Sequence, residues 1–241
     1  MSFTFVECAQ GTPEWLSARA GLCTASRFAD AVSVTTRASG SRKAGDPTAA
    51  AERYAADIAI ERITGKPFGE PPKSWILDRG HELERLARMA YEDKNTAFVT
   101  EAGICVDGNG FGYSTDGLVD KDGLIEIKCP IDSAKIIAMW KTGDVSEYIH
   151  QMQGGMWITG RKWCDFIMYV PDLAVIGKDL FVKRIARDDD FIDGMVRDLA
   201  RFQGMVDEFE RLLRPTVVAA EAPATDAPRP SRLSAILTAA E

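Results

Sequence analysis

Apolar residues recur at helical spacing in two long stretches of the chain. Between Ser74 and Asp93 they lie three and four positions apart, which predicts an amphipathic helix with one buried face. A second amphipathic helix is predicted from about Asp188 to Leu213, because three consecutive aspartates favour its N-terminus and Pro215 ends the pattern. Capping residues and prolines predict further helices that start near Thr12-Pro13-Glu14, Thr24-Ala25-Ser26 and Asp46-Pro47, and others over about 132–141 and 146–159.

Shorter runs of apolar and β-branched residues predict strands. The runs from Phe111 to Val119 and from Leu124 to Cys129 flank Lys121-Asp122-Gly123, a tight-turn signal, so we expect them to pair as an antiparallel hairpin. Other strands are predicted over about 98–105, 163–170 and 180–185. Because helices precede, separate and follow these strands, the pattern indicates an α/β fold with a central mixed β-sheet flanked by helices.

The predicted hairpin carries side chains suited to metal-assisted chemistry on phosphate. Successive side chains of a strand alternate between its faces, so Glu126 and Lys128 share one face while Ile127 points to the core. We expect Asp116, on the partner strand, to project to the same face. Two carboxylates beside an ammonium group suit Mg²⁺, which binds hard oxygen ligands and keeps waters and phosphate oxygens in its shell. On these residues alone, the alternative is a cross-strand Glu and Lys pair on a surface hairpin, which is common in any sheet.

Length and composition predict how the chain is organised. Its 241 residues, 46% of them hydrophobic, suffice for one large core, and we predict a single domain over 1–214. The stretch 215–241 is rich in Ala and Pro and is predicted to be a disordered tail with a short apolar tip at Leu233 to Leu237. No apolar run reaches the roughly 18 residues of a membrane span, and the first residues lack a signal peptide. We therefore expect a cytoplasmic protein with no membrane contact.

The formal net charge of −7 excludes a protein coated with phosphate-binding cations, so any contact with DNA must be local. Arg37, Arg42 and Lys43 lie in 33–46, a polar stretch predicted to be a mobile loop. Together with cations near the hairpin they could line one groove, although ordinary surface charge is favoured for each residue taken singly. The cations near the hairpin are Lys128, Lys135, Lys141, Arg161 and Lys162.

Several motifs, taken together and in order, carry a resemblance to a known family. The opening segment has the spacing Trp-x-x-x-Arg-x-Gly-x-x-Thr-Ala-Ser from Trp15 to Ser26. It is followed by Arg79 to Arg88, Ser114 to Gly117, Glu126 to Pro130 and Tyr148 to Gln153. In this order the set resembles the phage lambda-type exonucleases, also called YqaJ-like viral recombinases, which belong to the restriction-endonuclease-like nuclease superfamily. The resemblance implies a restriction-endonuclease-like core and makes 1–214 an exonuclease domain.

The resemblance also implies an activity and its partners. Such a nuclease digests one strand of linear double-stranded DNA from its 5′ end and leaves a 3′ single-stranded overhang for recombination. Mg²⁺, with Mn²⁺ as an alternative, is the implied cofactor. The implied partners are DNA ends, a single-strand annealing protein and further copies of the chain in a homo-oligomer, such as a ring-shaped trimer.

Matched position by position, the resemblance assigns the hydrolytic residues. Asp116, Glu126 and the backbone carbonyl of Ile127 would bind the metal, and Glu84 would reach it directly or through water. Lys128 would orient the attacking water or stabilise the charge that develops on phosphorus.

The same matching assigns a pocket for the 5′ phosphate to Arg19, Ser26 and Ser114, and it places Gln151 beside the catalytic residues. A guanidinium offers a planar fork of donors, and a hydroxyl near a helix N-terminus adds another, so this set is physically suited to a terminal phosphate. On the residues alone, the favoured interpretations are an exposed helix arginine in a surface pair for Arg19 and a simple cap for Ser26.

Other assignments remain open at this point. Glu84 is preferred to Glu82 because residues two apart on a helix point about 200° from each other, so only one of them faces the sheet. His81 and His150 could be general bases, but a lysine and a metal make them unnecessary. The alternative functions are an endonuclease or branched-DNA resolvase of the same superfamily, and a DNA-end-binding protein without catalysis.

Overall fold

The computed structural model of the chain describes residues 3–38, 40–69 and 75–214, with side chains from residue 79 onward in the last range. The predicted tail 215–241, with its apolar tip, lies outside these residues. The α-helices are α1 (Pro13–Arg19), α2 (Phe28–Ala31), α3 (Ala49–Thr64), α4 (Trp75–Asn95), α5 (Ser133–Thr142), α6 (Ile149–Thr159) and α7 (Asp189–Leu213). The strands are β1 (Thr4–Val6), β2 (Cys23–Thr24), β3 (Val99–Thr100), β4 (Ile104–Val106), β5 (Phe111–Ser114), β6 (Gly117–Val119), β7 (Gly123–Lys128), β8 (Trp163–Tyr169) and β9 (Leu180–Ala186).

The strands form two mixed sheets. The first has the order β1-β4-β5-β2, with β2 parallel to β5. The second has the order β3-β6-β7-β8-β9, with β7 parallel to β8. The predicted α/β fold, with mixed β-structure flanked by helices, is confirmed. The predicted hairpin corresponds to the antiparallel pair β6 and β7, in which Gly117 lies opposite Ile125.

Two predicted strands are wrong in extent, because the chain crosses from one sheet to the other within each of them. The stretch 98–105 forms β3 in the second sheet and β4 in the first, and 111–119 forms β5 in the first and β6 in the second. At the second crossing, Thr115 Oγ1 donates to the carbonyl of Gly117 at 2.9 Å and accepts from its N–H at 3.1 Å. A Cβ on Gly117 would lie 2.3 Å from Val99 Cγ1, so the close approach of β3 requires glycine here. The short strands β1 and β2 were not predicted.

The second sheet is covered on both faces. On one face, Ala87 and Tyr91 of α4 pack with Ile125 and Ile127 of β7. On the other, Leu124 belongs to a larger core that α2, α3, α6 and α7 share with the first sheet. Alternation along β7 therefore directs Glu126 and Lys128 away from α4 and towards α6, as predicted from the strand period.

Helix starts agree with the sequence in most places. Side chains of Thr12, Thr48, Asp132 and Asp188 cap α1, α3, α5 and α7 by accepting from backbone N–H groups. The prediction at Thr24-Ala25-Ser26 is wrong in detail, because Thr24 makes no side-chain cap. It ends β2 instead, and one 3₁₀ turn leads from there into α2.

The predicted loop 33–46 closes on itself. Thr35 exchanges backbone hydrogen bonds with Asp46 and Gly45 at 2.8 and 2.9 Å, and Val34 forms a bridge with Pro47. In the part of the chain that the structure describes, no helix combines the length and the apolar character that crossing a membrane requires.

Candidate active site

Every residue predicted to act in catalysis, metal binding or phosphate binding lines one cavity of about 160 Å³, which we call the site cavity. Gln10 and Thr24 line it as well; no role was predicted for Gln10, and Thr24 was predicted only as part of the opening motif and of a helix start. The full lining is Gln10, Arg19, Thr24, Ser26, Glu84, Ser114, Asp116, Glu126, Ile127, Lys128 and Gln151.

The crossing between the sheets positions two of these residues. Ser114 is the last residue of β5, and Asp116 lies between β5 and β6. Asp116 Oδ2 accepts a hydrogen bond of 2.6 Å from the N–H of Ile127 on β7, which fixes the carboxylate against the neighbouring strand. The Arg88 guanidinium supports the same turn from α4 by donating to the Asp116 carbonyl at 3.2 Å.

Glu126 and Lys128 lie on one face of β7 as predicted, and they contact each other. Lys128 Nζ donates to Glu126 Oε1 at 2.7 Å and lies 3.4 Å from Gln151 Oε1. Gln151 lies on α6, which packs closely on β5. A Cβ on Gly155 of that helix would lie 2.6 Å from Tyr113 Cζ.

The acids of the site cavity are incompletely neutralised. Burial raises the pKa of Glu126 to about 7, with Asp116 adding to the effect and Lys128 opposing it. Burial also raises the pKa of Glu84 to about 7, and Asp116 raises it further. The pKa of Asp116 is raised by burial despite the nearby Lys128. Burial alone would lower the pKa of Lys128, but the Glu126 and Asp116 carboxylates outweigh it and raise that pKa, so the ammonium stays charged at neutral pH.

The deficit of positive charge in the site cavity is clearest at one carboxylate oxygen. Glu126 Oε2 is buried and has no hydrogen-bond partner within the described residues. A buried anionic oxygen without a partner is costly, and a divalent cation would relieve that cost. Within residues 3–38, 40–69 and 75–214, no three His, Cys, Asp or Glu side chains form a ready-made metal cage. The donors that fit a hard cation are therefore the Asp116 and Glu126 carboxylates with the Ile127 carbonyl, and water completes the shell.

The predicted phosphate ligands form a second group in the site cavity. Arg19 Nη2 donates to Thr24 Oγ1 at 3.1 Å, and Thr24 Oγ1 lies 3.4 Å from Ser26 Oγ. Ser114 Oγ accepts a hydrogen bond from Trp15 Nε1 at 2.9 Å. Burial lowers the pKa of Arg19, but a guanidinium keeps its charge and has five N–H donors. Arg19 is thus an available phosphate ligand, and its alternative interpretation as an exposed helix arginine is wrong.

Most of the cations that could line a basic groove have other partners, as expected from the favoured interpretation of ordinary surface charge. Arg42 is paired with Glu52 on α3. Arg161 donates to the carbonyls of Val119, Asp120 and Gly123 at 3.2, 3.1 and 2.6 Å, so it supports the β6–β7 turn. Lys135 and Lys162 form exposed ion pairs with Glu147 and Asp122. Of the cations near the hairpin in sequence, Lys128 alone lines the site cavity.

The structure also distinguishes between the candidate acids and bases that the sequence predicts on α4 and α6. Glu84 lines the site cavity, whereas Glu82 is exposed. His81 lines a neighbouring cavity of about 600 Å³ that shares Gln10, Glu84 and Asp116 with the site cavity. The ring of His150 packs edge-on against Phe191 at a centroid distance of 5.1 Å, and burial lowers its pKa. Neither histidine lines the site cavity.

Comparisons with known proteins agree with this geometry. A family profile described as YqaJ-like viral recombinase domain matches residues 14–162. Two crystal structures of an alkaline exonuclease (LHK-Exo) from Laribacter hongkongensis, one of them in complex with dAMP, are 38% identical to the chain, with TM-scores of 0.70 and 0.71. Each match covers 83% of this chain and 96% of the LHK-Exo chain.

A more distant structure shares the fold. A phage-related exonuclease from Haemophilus somnus 129PT is 18% identical over 80% of this chain and 96% of its own, with a TM-score of 0.60. A comparison with curated protein sequences gave no significant match. The profile match covers more than half of the chain and includes each predicted site residue. The chain therefore belongs to the YqaJ-like viral recombinase domain family, and it is a nuclease that acts on DNA.

Proposed function

We propose that the chain is a divalent-metal-dependent 5′-to-3′ exodeoxyribonuclease that acts on linear double-stranded DNA and leaves 3′ single-stranded overhangs for recombination. The observation that carries the proposal is that one small cavity holds both a group of phosphate donors and a group of acids with a lysine. The first group suits the end of a strand, and the second suits hydrolysis of the linkage next to that end.

The size and charge of the site cavity support dependence on an end. The site cavity is small, about 160 Å³, and we expect it to receive the terminal part of one strand rather than a duplex. A terminal phosphate monoester carries more negative charge than an internal diester, because its second pKa is about 6. Arg19, with the hydroxyls of Ser26 and Ser114, is therefore expected to prefer a phosphorylated end.

The polarity follows from which phosphate each group binds. With the 5′-terminal phosphate on Arg19, Ser26 and Ser114, the next phosphodiester would face Asp116, Glu126 and Lys128. Hydrolysis there releases a 5′ nucleotide and shortens the strand from its 5′ end, so the complementary strand is left with a 3′ overhang. The related exonuclease that was crystallised with dAMP binds a product of this chemical class.

Asp116, Glu126 and the Ile127 carbonyl would hold the cation, proposed to be Mg²⁺ or Mn²⁺, and Glu84 would act through water. A divalent cation at this position supplies Lewis-acid polarisation of the phosphodiester. Lys128 is charged and tethered by Glu126 and Gln151, so it can donate a hydrogen bond to the phosphate and stabilise the charge that develops there. We assign this nuclease domain to 1–214, because α7 packs along α3 within the same core.

The test compares DNA ends and topologies with purified protein. Parent protein should degrade linear duplex in Mg²⁺, more slowly with 5′-hydroxyl than with 5′-phosphate ends, and should not cut covalently closed circles or act in EDTA. Lys128→Ala and Asp116→Asn should abolish digestion. Lys135→Ala and Asp122→Asn, the same changes at exposed ion pairs, should digest at the parent rate. Cleavage of closed circles would instead indicate an endonuclease, and loss of 3′-labelled nucleotides first would contradict the polarity.

A further inference from the structure

Trp15 is a buried residue of α1 that the proposed mechanism does not use. Thr12 caps this helix, and its Oγ1 accepts from the Trp15 N–H at 3.3 Å, which fixes the start of the helix and the place of the indole. Trp15 keeps only 9% of its surface exposed. Two of its contacts lead to proposed phosphate ligands that come from different parts of the fold.

The first contact is with Arg19, one helical turn further along α1. The guanidinium carbon of Arg19 lies 4.2 Å from the centroid of the indole ring. This is the spacing of a cation–π interaction, and residues four apart on a helix are neighbours on its surface. The ring therefore holds the guanidinium in place, while Nη2 of the same group remains directed to Thr24 Oγ1 at the site cavity.

The second contact is with Ser114, which lies 99 residues away in sequence at the end of β5. The indole N–H is a donor only, whereas a serine hydroxyl has one hydrogen to donate and two lone pairs. Because Ser114 Oγ accepts from Trp15 Nε1 at 2.9 Å, its own hydrogen must point elsewhere. Ser114 lines the site cavity, so the hydrogen bond from Trp15 favours a hydroxyl that donates into it.

We propose that Trp15 is a positioning residue that sets the preference for 5′-phosphorylated ends, by holding the Arg19 guanidinium and by orienting the Ser114 hydroxyl as a donor. This inference rests on the proposed function, because it assumes that Arg19 and Ser114 bind the terminal phosphate. It goes beyond that function by assigning the selectivity to an indole that need not touch the DNA.

Trp15→Phe separates the hydrogen bond from the stacking, because it keeps an aromatic ring near Arg19 and removes the N–H that Ser114 accepts. The readout is the ratio of kcat/KM on 5′-phosphate ends to kcat/KM on 5′-hydroxyl ends of otherwise identical duplexes. We expect Trp15→Phe to lower this ratio about fivefold, the size of effect expected from one misdirected hydrogen bond. The ratio of Kd for 5′-hydroxyl ends to Kd for 5′-phosphate ends, measured in EDTA, should fall with it.

Trp140→Phe is the matched control. It removes an indole N–H that is buried without a partner among the described residues, and Trp140 lies outside the site cavity. This variant should keep the parent ratio. Thermal unfolding of both variants tests the alternative that Trp15 is only a packing residue, since a loss of folded protein lowers the rates on both kinds of end together and leaves their ratio unchanged.

A double-mutant cycle with Ser114→Ala completes the test. If Trp15 acts through the Ser114 hydroxyl, Trp15→Phe should lower the ratio in the parent background but not in Ser114→Ala. An equal fall in both backgrounds would overturn the orientation of Ser114 by Trp15, and a parent-like ratio in Trp15→Phe would overturn the role of the indole N–H, while the phosphate pocket stands in either case. A ratio near one in the parent protein would overturn the pocket itself, and the role of Trp15 with it.

Discussion

Two carboxylates are buried on neighbouring strands of the second sheet, on its opposite faces, and their surroundings differ. Asp165 on β8 accepts from Tyr91 Oη at 2.7 Å and from Arg184 Nε and Nη2 at 2.8 Å each, so both of its oxygens are satisfied. Glu126 on β7, only 1% exposed, receives Lys128 on one oxygen and has no partner for the other among the described residues. The first is a completed ion pair within the protein.

The difference distinguishes a structural acid, Asp165, from Glu126, which has an oxygen without a partner among the described residues. The sheet can surround a buried carboxylate with a bidentate arginine and a tyrosine, as at Asp165. At Glu126 it places a second and a third acid nearby instead, and burial raises the pKa of Glu126 to about 7. A buried acid whose charge is only partly compensated is a candidate for binding a ligand, and a cation is the ligand that would suit Glu126.

The largest expected effect, which tests the difference between Glu126 and Asp165 directly, is on activity. Glu126→Gln should lower the rate of digestion of linear duplex by about 10³-fold, because the neutral amide cannot hold a divalent cation as the carboxylate does. It should not lower the free energy of unfolding measured in EDTA, because it replaces a buried carboxylate that Lys128 neutralises only in part with an amide whose oxygen can still accept from Lys128. Parent-like digestion, or a marked loss of stability without metal, would show that Glu126 is a structural acid like Asp165.

The second effect is on stability. Arg184→Ala should lower the free energy of unfolding by about 1–3 kcal/mol, because it leaves the buried Asp165 charge without its bidentate partner, and the loss is reduced because the Arg184 side chain is more than half exposed to solvent. Urea denaturation measures this loss. Since Arg184 does not line the site cavity, the folded variant should still digest DNA at a temperature well below its unfolding midpoint. Unchanged stability would mean that Asp165 is neutralised by other means.

The smallest effect is on the pH dependence of stability. In metal-free protein the pKa of Glu126 is raised by burial from 4.5 to about 7, so the folded state keeps a proton that the unfolded chain has lost between those values. The free energy of unfolding should therefore fall as pH rises through this window and level off above it. Urea denaturation in EDTA at several pH values should show a shallower fall in Glu126→Gln, whereas the exposed Glu147→Gln should match the parent.

The comparison also shows what the sequence could and could not predict. Strand alternation and the turn at Lys121 to Gly123 were enough to place Glu126 and Lys128 on one face, because both signals are local. The completed pair at Asp165 was not predicted, because its partners Tyr91 and Arg184 lie 74 and 19 residues away and no local pattern joins them.

The division of the strands was missed for a related reason. Strand-forming residues lie on both sides of Asp116-Gly117, so the pattern predicts one strand from Phe111 to Val119, although that dipeptide is itself a turn signal at the point where the chain leaves one sheet for the other. Strands as short as β2, with two residues, have too few positions to show a period at all. The contact of Trp15 with Ser114 depends on that same crossing, so it too required the fold.

The turn at Thr115 has a consequence for the length of what the enzyme would release. Ser114 and Asp116 are separated by a single residue, so their Cα atoms can lie no more than about 7 Å apart. Under the proposed function, Ser114 binds the 5′-terminal phosphate and Asp116 faces the phosphodiester that is hydrolysed. The short backbone between Ser114 and Asp116 then limits the distance between the bound terminal phosphate and the hydrolysed bond. This limit favours removal of nucleotides one at a time rather than in short pieces.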